Sequence, residues 1–172
     1  MDEPLGCTVG NALEVAEAVE TLRGGGPDDL KKLTLDLAAQ VSSAPRATLE
    51  KWLADGTAWE KFVALTEAQG GDSGALEKIA DIHRAPIVFD LRAKQSGRIT
   101  KMDAGMIGNA CVQLGAGRQK TGDAVDYAVG CSAISKAGAS VEKGGTLLRI
   151  HARSDASLQA VLPIFETAAA VL

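Results

Sequence analysis

At 172 residues, 46% apolar and 23% charged, the chain is long enough to bury a real core and fits one domain or two small ones. Twenty-two acidic against eighteen basic side chains leave a net charge of −4 with no basic face in the residue order, which argues against nucleic acid as a partner. Asp2 and Glu3 do not begin a signal peptide, and no apolar run approaches the ~18 residues of a membrane span.

The first half reads as helices. Asn11 is placed to cap a helix, with Glu14 reaching back to it, and Ala12, Val15, Ala16, Val19 and Leu22 recur at helical spacing. Gly24, Gly25 and Gly26 stop that helix. A glycine run before a helix also suits an anion cradle, but no GK[ST] and no preceding β-run accompany it. Pro27 suits a first helical position, with Asp28 and Asp29 at the positive end of the helix dipole. Leu30, Leu33, Leu37 and Val41 form the second stripe, which Pro45 ends. Two shorter amphipathic pieces follow, one with Leu49, Trp52 and Leu53, the other with Trp59, Phe62, Val63 and Leu65.

The second half changes period. Ile87, Phe89 and Leu91 alternate with Val88, Asp90 and Arg92, and 98–102 reads as a second strand after a turn at Gly97. Asp103 is placed to cap a helix carrying Met106, Ile107, Ala110, Val112 and Leu114. Glycine costs ~1 kcal/mol per helical position relative to alanine, so Gly105 and Gly108 predict close packing against a neighbour. Segments 127–134 and 146–152 read as strands, with two short β-runs between them. Ser154 or Asp155 then caps a final helix over 156–171, kinked at or starting late near Pro163.

Few residues carry chemistry. Three scattered cysteines, Cys7, Cys111 and Cys131, read as free packing thiols in a reducing cytoplasm. His83 and His151 lack metal-ligand company, so both read as structural. Asp123 and Asp126 read as a cap and as salt-bridge partners of Arg118 or Lys120 rather than as a paired catalytic dyad. No catalytic constellation is complete.

The stretches MDEPLG, VGNALEV, LGAGR, DYAVG, VEKG and IHA, in that order, resemble the C-terminal part of the pyrimidine-nucleoside phosphorylases, a family that includes the thymidine phosphorylases. The resemblance implies an α/β (α+β) fold. Residues 1–82 would form the helical tail of the catalytic α/β domain, and 83–172 a C-terminal α/β-hammerhead, a barrel-sandwich hybrid. It also implies a longer enzyme, with a strand of the large domain and the small helical domain preceding Met1. The first helix, over 11–23, would then lack part of its packing surface.

The implied reaction is phosphorolysis. Phosphate attacks the anomeric carbon of a pyrimidine nucleoside, and base and sugar 1-phosphate separate. Family members hold phosphate with a KxSxGGxGD loop and the base with an Arg and a Lys; neither motif occurs here, so no catalytic or substrate-binding residue is assigned and the chain alone is expected to be inactive. No organic cofactor is implied. A monovalent cation, potassium, is implied at Leu5 and Thr8 through backbone carbonyls and at Glu17 through its carboxylate. Without the resemblance, Glu17 is a solvated helix residue. Phosphate and nucleoside are the implied partners, together with an N-terminal half or a homodimer mate. The Gly138, Val141, Gly144, Leu147 spacing also resembles biotinyl and lipoyl carriers, but Lys101 before Met102, the one lysine beside a methionine, lies well before that segment and is not framed by a hairpin.

Overall fold

A computed structural model describes residues 2–172. In chain order it contains β1 (Val9–Gly10), α1 (Asn11–Leu22), α2 (Asp28–Val41), α3 (Arg46–Ala54), α4 (Thr57–Ala68) and the short α5 (Ser73–Leu76) and α6 (Ile79–Ile82). There follow β2 (Ile87–Arg92), β3 (Gly97–Met102), α7 (Ala104–Leu114), β4 (Gly130–Ser132), β5 (Ser140–Val141), β6 (Thr146–Ala152), α8 (Asp155–Ala168) and β7 (Ala169–Val171). Helices and antiparallel sheets together make an α+β protein. The chain divides into two units, one of residues 1–14 with 83–172, the other of 15–82.

The first unit holds two antiparallel sheets, ordered β1-β4-β6-β2 and β5-β3-β7. The alternation over 87–92 pairs β2 with β6 from Ile87↔Ala152 to Arg92↔Thr146. Leu148, Ile150 and Ala152 are fully buried, whereas Arg149 between them is exposed. That two-residue period turns one face of β6 onto the core. The core is closed by α7, through Ile107, Ala110 and Cys111, and by α8, through Val161 and Phe165. Both helices start where side chains cap them. Asp103 accepts from the Met106 amide at 2.9 Å, and Ser154 forms a reciprocal box with Ser157. Gly115, at φ 107°, ends α7.

Several expectations are corrected here. The final helix stops at Ala168, and Ala169–Val171 becomes a strand because β3 offers it a ladder, with Met102 opposite Ala169. Segment 127–134 contributes only Gly130–Ser132, and one short strand, not two, precedes β6. Gly108 has no atom within 4 Å of a would-be Cβ, and Gly105 meets only the Asp103 carboxylate at 3.4 Å. Close packing therefore does not explain either glycine.

The second unit is helical. Val19, Leu49 and Leu53 are buried, and the Arg23 guanidinium lies 5.6 Å from the centre of the Trp59 ring and 3.0 Å from Glu77. The Gly24 and Gly25 amides donate to the Thr21 and Glu20 carbonyls, so they terminate α1 and are not offered to an anion. On α2 no residue is buried. Leu33, Leu37 and Val41 stand 41%, 60% and 89% exposed.

Candidate functional site

The segment before α1 is tied down by the later part of its own unit. The Ala104 amide donates to the Asp2 carbonyl, the Ala137 amide to Glu3 Oε2 at 2.9 Å, and the Ile134 amide to the Cys7 carbonyl at 3.1 Å. Lys136 Nζ donates to the Pro4 carbonyl at 2.6 Å and to the Gly6 carbonyl at 2.5 Å. Gly6, at φ 67°, allows the turn that presents these alternate carbonyls. The chain then enters β1, where Val9 lies opposite Cys131 and Gly10 opposite Gly130.

The start of α1 differs from the expected cap. Glu14 Oε1 accepts from the Gly10 amide at 2.8 Å, so the carboxylate reaches back one residue further than Asn11. The Asn11 side chain is used elsewhere, donating through Nδ2 to the Ala116 carbonyl at 2.7 Å. The Tyr127 carbonyl takes the Ala12 amide at 3.1 Å, satisfying one of the donors a helix start leaves open.

Leu5 and Thr8 lie in the turn between the tethers, in the sheet-containing unit; Glu17 lies on α1, in the helical unit, half-buried. Thr8 Oγ1 is buried and has no hydrogen-bond partner among the described residues. A buried hydroxyl without a partner is costly, which makes it a spare oxygen in this turn. Neutral oxygens are the donor type that suits a weakly charged alkali ion, and the turn carries such an oxygen at Thr8. Among the described residues no group of three or more His, Cys, Asp and Glu side chains is placed to hold a metal.

The other reactive side chains are accounted for structurally. Asp126 pairs with Arg153 through two contacts of 2.6 and 2.8 Å and accepts the Ala128 amide, and the Arg153 guanidinium holds its carboxyl below the usual range. Asp123 accepts the Gln119 and Lys120 amides, closing a turn. Neither carboxylate takes the Arg118 or Lys120 side chain that sequence reasoning offered as an ion-pair partner. His83 meets the Tyr127 ring edge-on at 5.5 Å. On β6, His151 Nε2 lies 2.8 Å from Ser132 Oγ, and burial, then the Arg149 charge, lowers its pKa. Asp90, on the neighbouring β2, is committed to Arg149 at 2.7 Å.

Cys111 and Cys131 are buried with sulfurs 3.7 Å apart, and the neighbouring thiol together with burial pushes Cys131 far from thiolate character. Lys101 lies within β3, and its ammonium pairs with Asp103 at 3.0 Å. A carrier lysine would stand at a hairpin tip, so the carrier reading is not favoured.

Lys136 is the residue the sequence analysis missed. It lies more than a hundred residues from the turn it grips, and no local spacing announces it.

Residues 98–171 match the family model described as pyrimidine nucleoside phosphorylase C-terminal domain. The pyrimidine-nucleoside phosphorylase of Bacillus subtilis is 37% identical over 175 residues, covering 96% of this chain. Those of Geobacillus stearothermophilus and Staphylococcus aureus are 37% and 39% identical, covering 90% and 88% of it. The chain spans only 40%, 38% and 37% of the lengths of these three relatives.

Proposed function

We propose, from the premise that the chain belongs to the pyrimidine-nucleoside phosphorylase family over the C-terminal part of those proteins, that it serves phosphate-dependent cleavage of pyrimidine nucleosides as that part of a larger catalytic assembly. The observation that carries the reading is identity of 37–39% extending over 88–96% of the chain. In this reading residues 1–82 complete the catalytic α/β domain, with 1–14 held by the unit that contains 83–172, and 83–172 form the hammerhead-type domain. Phosphate and nucleoside are gripped by the remainder of the enzyme, which supplies the phosphate loop and the base-binding Arg and Lys. The exposed α2 stripe of Leu33, Leu37 and Val41 is the kind of apolar face a partner surface covers, and we assign it to that remainder.

This chain's own residues then act on the ground beside the phosphate. The Leu5 and Thr8 carbonyls and the Glu17 carboxylate would hold a potassium ion, which supplies fixed positive charge near the attacking anion. The tethers from Ile134, Lys136 and Ala137 keep the 4–8 turn in place, so the donor oxygens are set before substrate arrives.

The test joins the N-terminal remainder of the Bacillus subtilis relative to this chain in one polypeptide and assays phosphorolysis of thymidine and uridine. The chain alone should be inactive and the chimera active. Activity from the chain alone, or a folded chimera that cleaves neither nucleoside, overturns the reading. In the chimera, Glu17→Gln should abolish the rate difference between potassium and sodium buffers. An unchanged difference removes Glu17 from the cation site.

A further inference from the structure

We propose that the Lys136 ammonium serves the 4–8 turn as a tethered monovalent cation, supplying covalently the charge that a free potassium or ammonium ion can restore when the side chain is removed. The inference rests on the cation reading above for the identity of this turn as the ligand turn. It adds a residue that the reading does not contain.

The chemistry is local. Lys136 Nζ donates to two backbone carbonyls, those of Pro4 and Gly6, which flank Leu5. Carbonyl oxygens converging on a single unit charge are what a monovalent-ion site consists of, and an alkylammonium is a unit charge with three donors. Hydrogen bonds to a charged donor are stronger than neutral ones, and these lie beside buried residues, Pro4 and Gly6, where solvent competes little.

The ammonium is delivered from a rigid base. Its neighbours Ile134 and Ala137 bond the same segment through their backbone amides, and Ile134 is buried in the core. Two consequences separate a tethered cation from a mere strap. The turn should be ordered in this protein without added potassium, because the charge is already present. A free cation competing for the Pro4 and Gly6 carbonyls meets the ammonium's repulsion, so the response of these two oxygens to free potassium should be stronger once the lysine is gone.

The experiment is hydrogen exchange on the 172-residue chain, following the Ile134 and Ala137 amides, whose acceptors are the Cys7 carbonyl and the Glu3 carboxylate. The Leu148 and Ile150 amides of β6 report that the core stays folded. Wild type should protect the turn equally in about 100 mM tetramethylammonium chloride and in about 100 mM potassium chloride, where the Debye length is about 10 Å. Lys136→Met should exchange at both amides about tenfold faster or more in tetramethylammonium chloride, as loss of charge-assisted bonds implies. Potassium or ammonium chloride should return most of that protection, and Lys136→Arg should need neither salt.

Unchanged exchange in Lys136→Met overturns the proposal. So does protection that is lost and that no salt restores, because the lysine is then only a strap. Neither result bears on the Glu17 test in the chimera, so failure of the tethered charge and failure of the free-cation site are read separately.

Discussion

Replacing Gly10 by alanine should damage the protein more than any other single methyl added to the N-terminal segment. Gly10 sits at φ +145°, a conformation that L side chains avoid. An added Cβ would lie 2.7 Å from the Val129 carbonyl oxygen and 3.3 Å from the Gly130 Cα, and both are backbone atoms of the strand region opposite. Neither can swing aside as a flexible side chain would. Backbone strain of this type costs about 1–3 kcal/mol, and overpacking costs about 1–3 kcal/mol more. The expected loss is therefore about 2–6 kcal/mol, a large fraction of the 5–15 kcal/mol that holds a typical domain together. The substitution also separates β1 from β4 and so loosens the turn carrying Leu5 and Thr8. The assay is native-state hydrogen exchange at Leu148 and Ile150, which reads the opening free energy of the sheet-containing unit. A loss below about 1 kcal/mol would refute the argument that two backbones meet here with no room for a side chain.

Gly108→Ala should act in the opposite sense. With open space around the new methyl, helix propensity alone decides, and urea denaturation should show a gain of about 0.5–1 kcal/mol. Asp126 titrates below its ordinary value when folded, so its contribution is present above that value and is lost as pH falls through the lowered one. Asp126→Asn should accordingly flatten the acid limb of a Tm-against-pH curve below about pH 4, with little change in its shape near neutrality. Leu37→Glu, at a position 60% exposed, should leave the isolated chain within about 0.5 kcal/mol of its original stability. In a two-piece assay, the same substitution should prevent activity from being restored by a separately supplied N-terminal remainder. Full restoration would remove α2 from the docking surface.

Much of the fold could be read because local chemistry and tertiary structure agree. Asp103 and Gly115 bracket α7 as cap and stop, and the alternation over 87–92 is the pleat of β2. Other features were hidden because a distant partner decided them. An Ala-Ala-Ala-Val run suits a helix by propensity, yet β3 draws its end into a ladder. Asn11 carries a cap's side chain, but Ala116 claims it from across the unit. Gly105 and Gly108 look like packing devices only until the space around them is seen. The turn containing Leu5 and Thr8 was reached through resemblance rather than pattern, since backbone carbonyl donors leave no residue signature. Lys136 could not be found at all, because a lone lysine in a polar loop looks the same whether it points to water or to two carbonyls.

The register that sets Val9 against Cys131 has a consequence in time as well as in space. A strand of two residues must wait for a partner more than a hundred residues later in the chain, after every helix of the other unit has been synthesised. Closing so long a loop is slow and is rewarded only once β4 and β6 have already paired. The segment before α1 is therefore expected to be the last piece of its sheet to lock. During synthesis it remains an open strand edge, available for mispairing until β4 has formed.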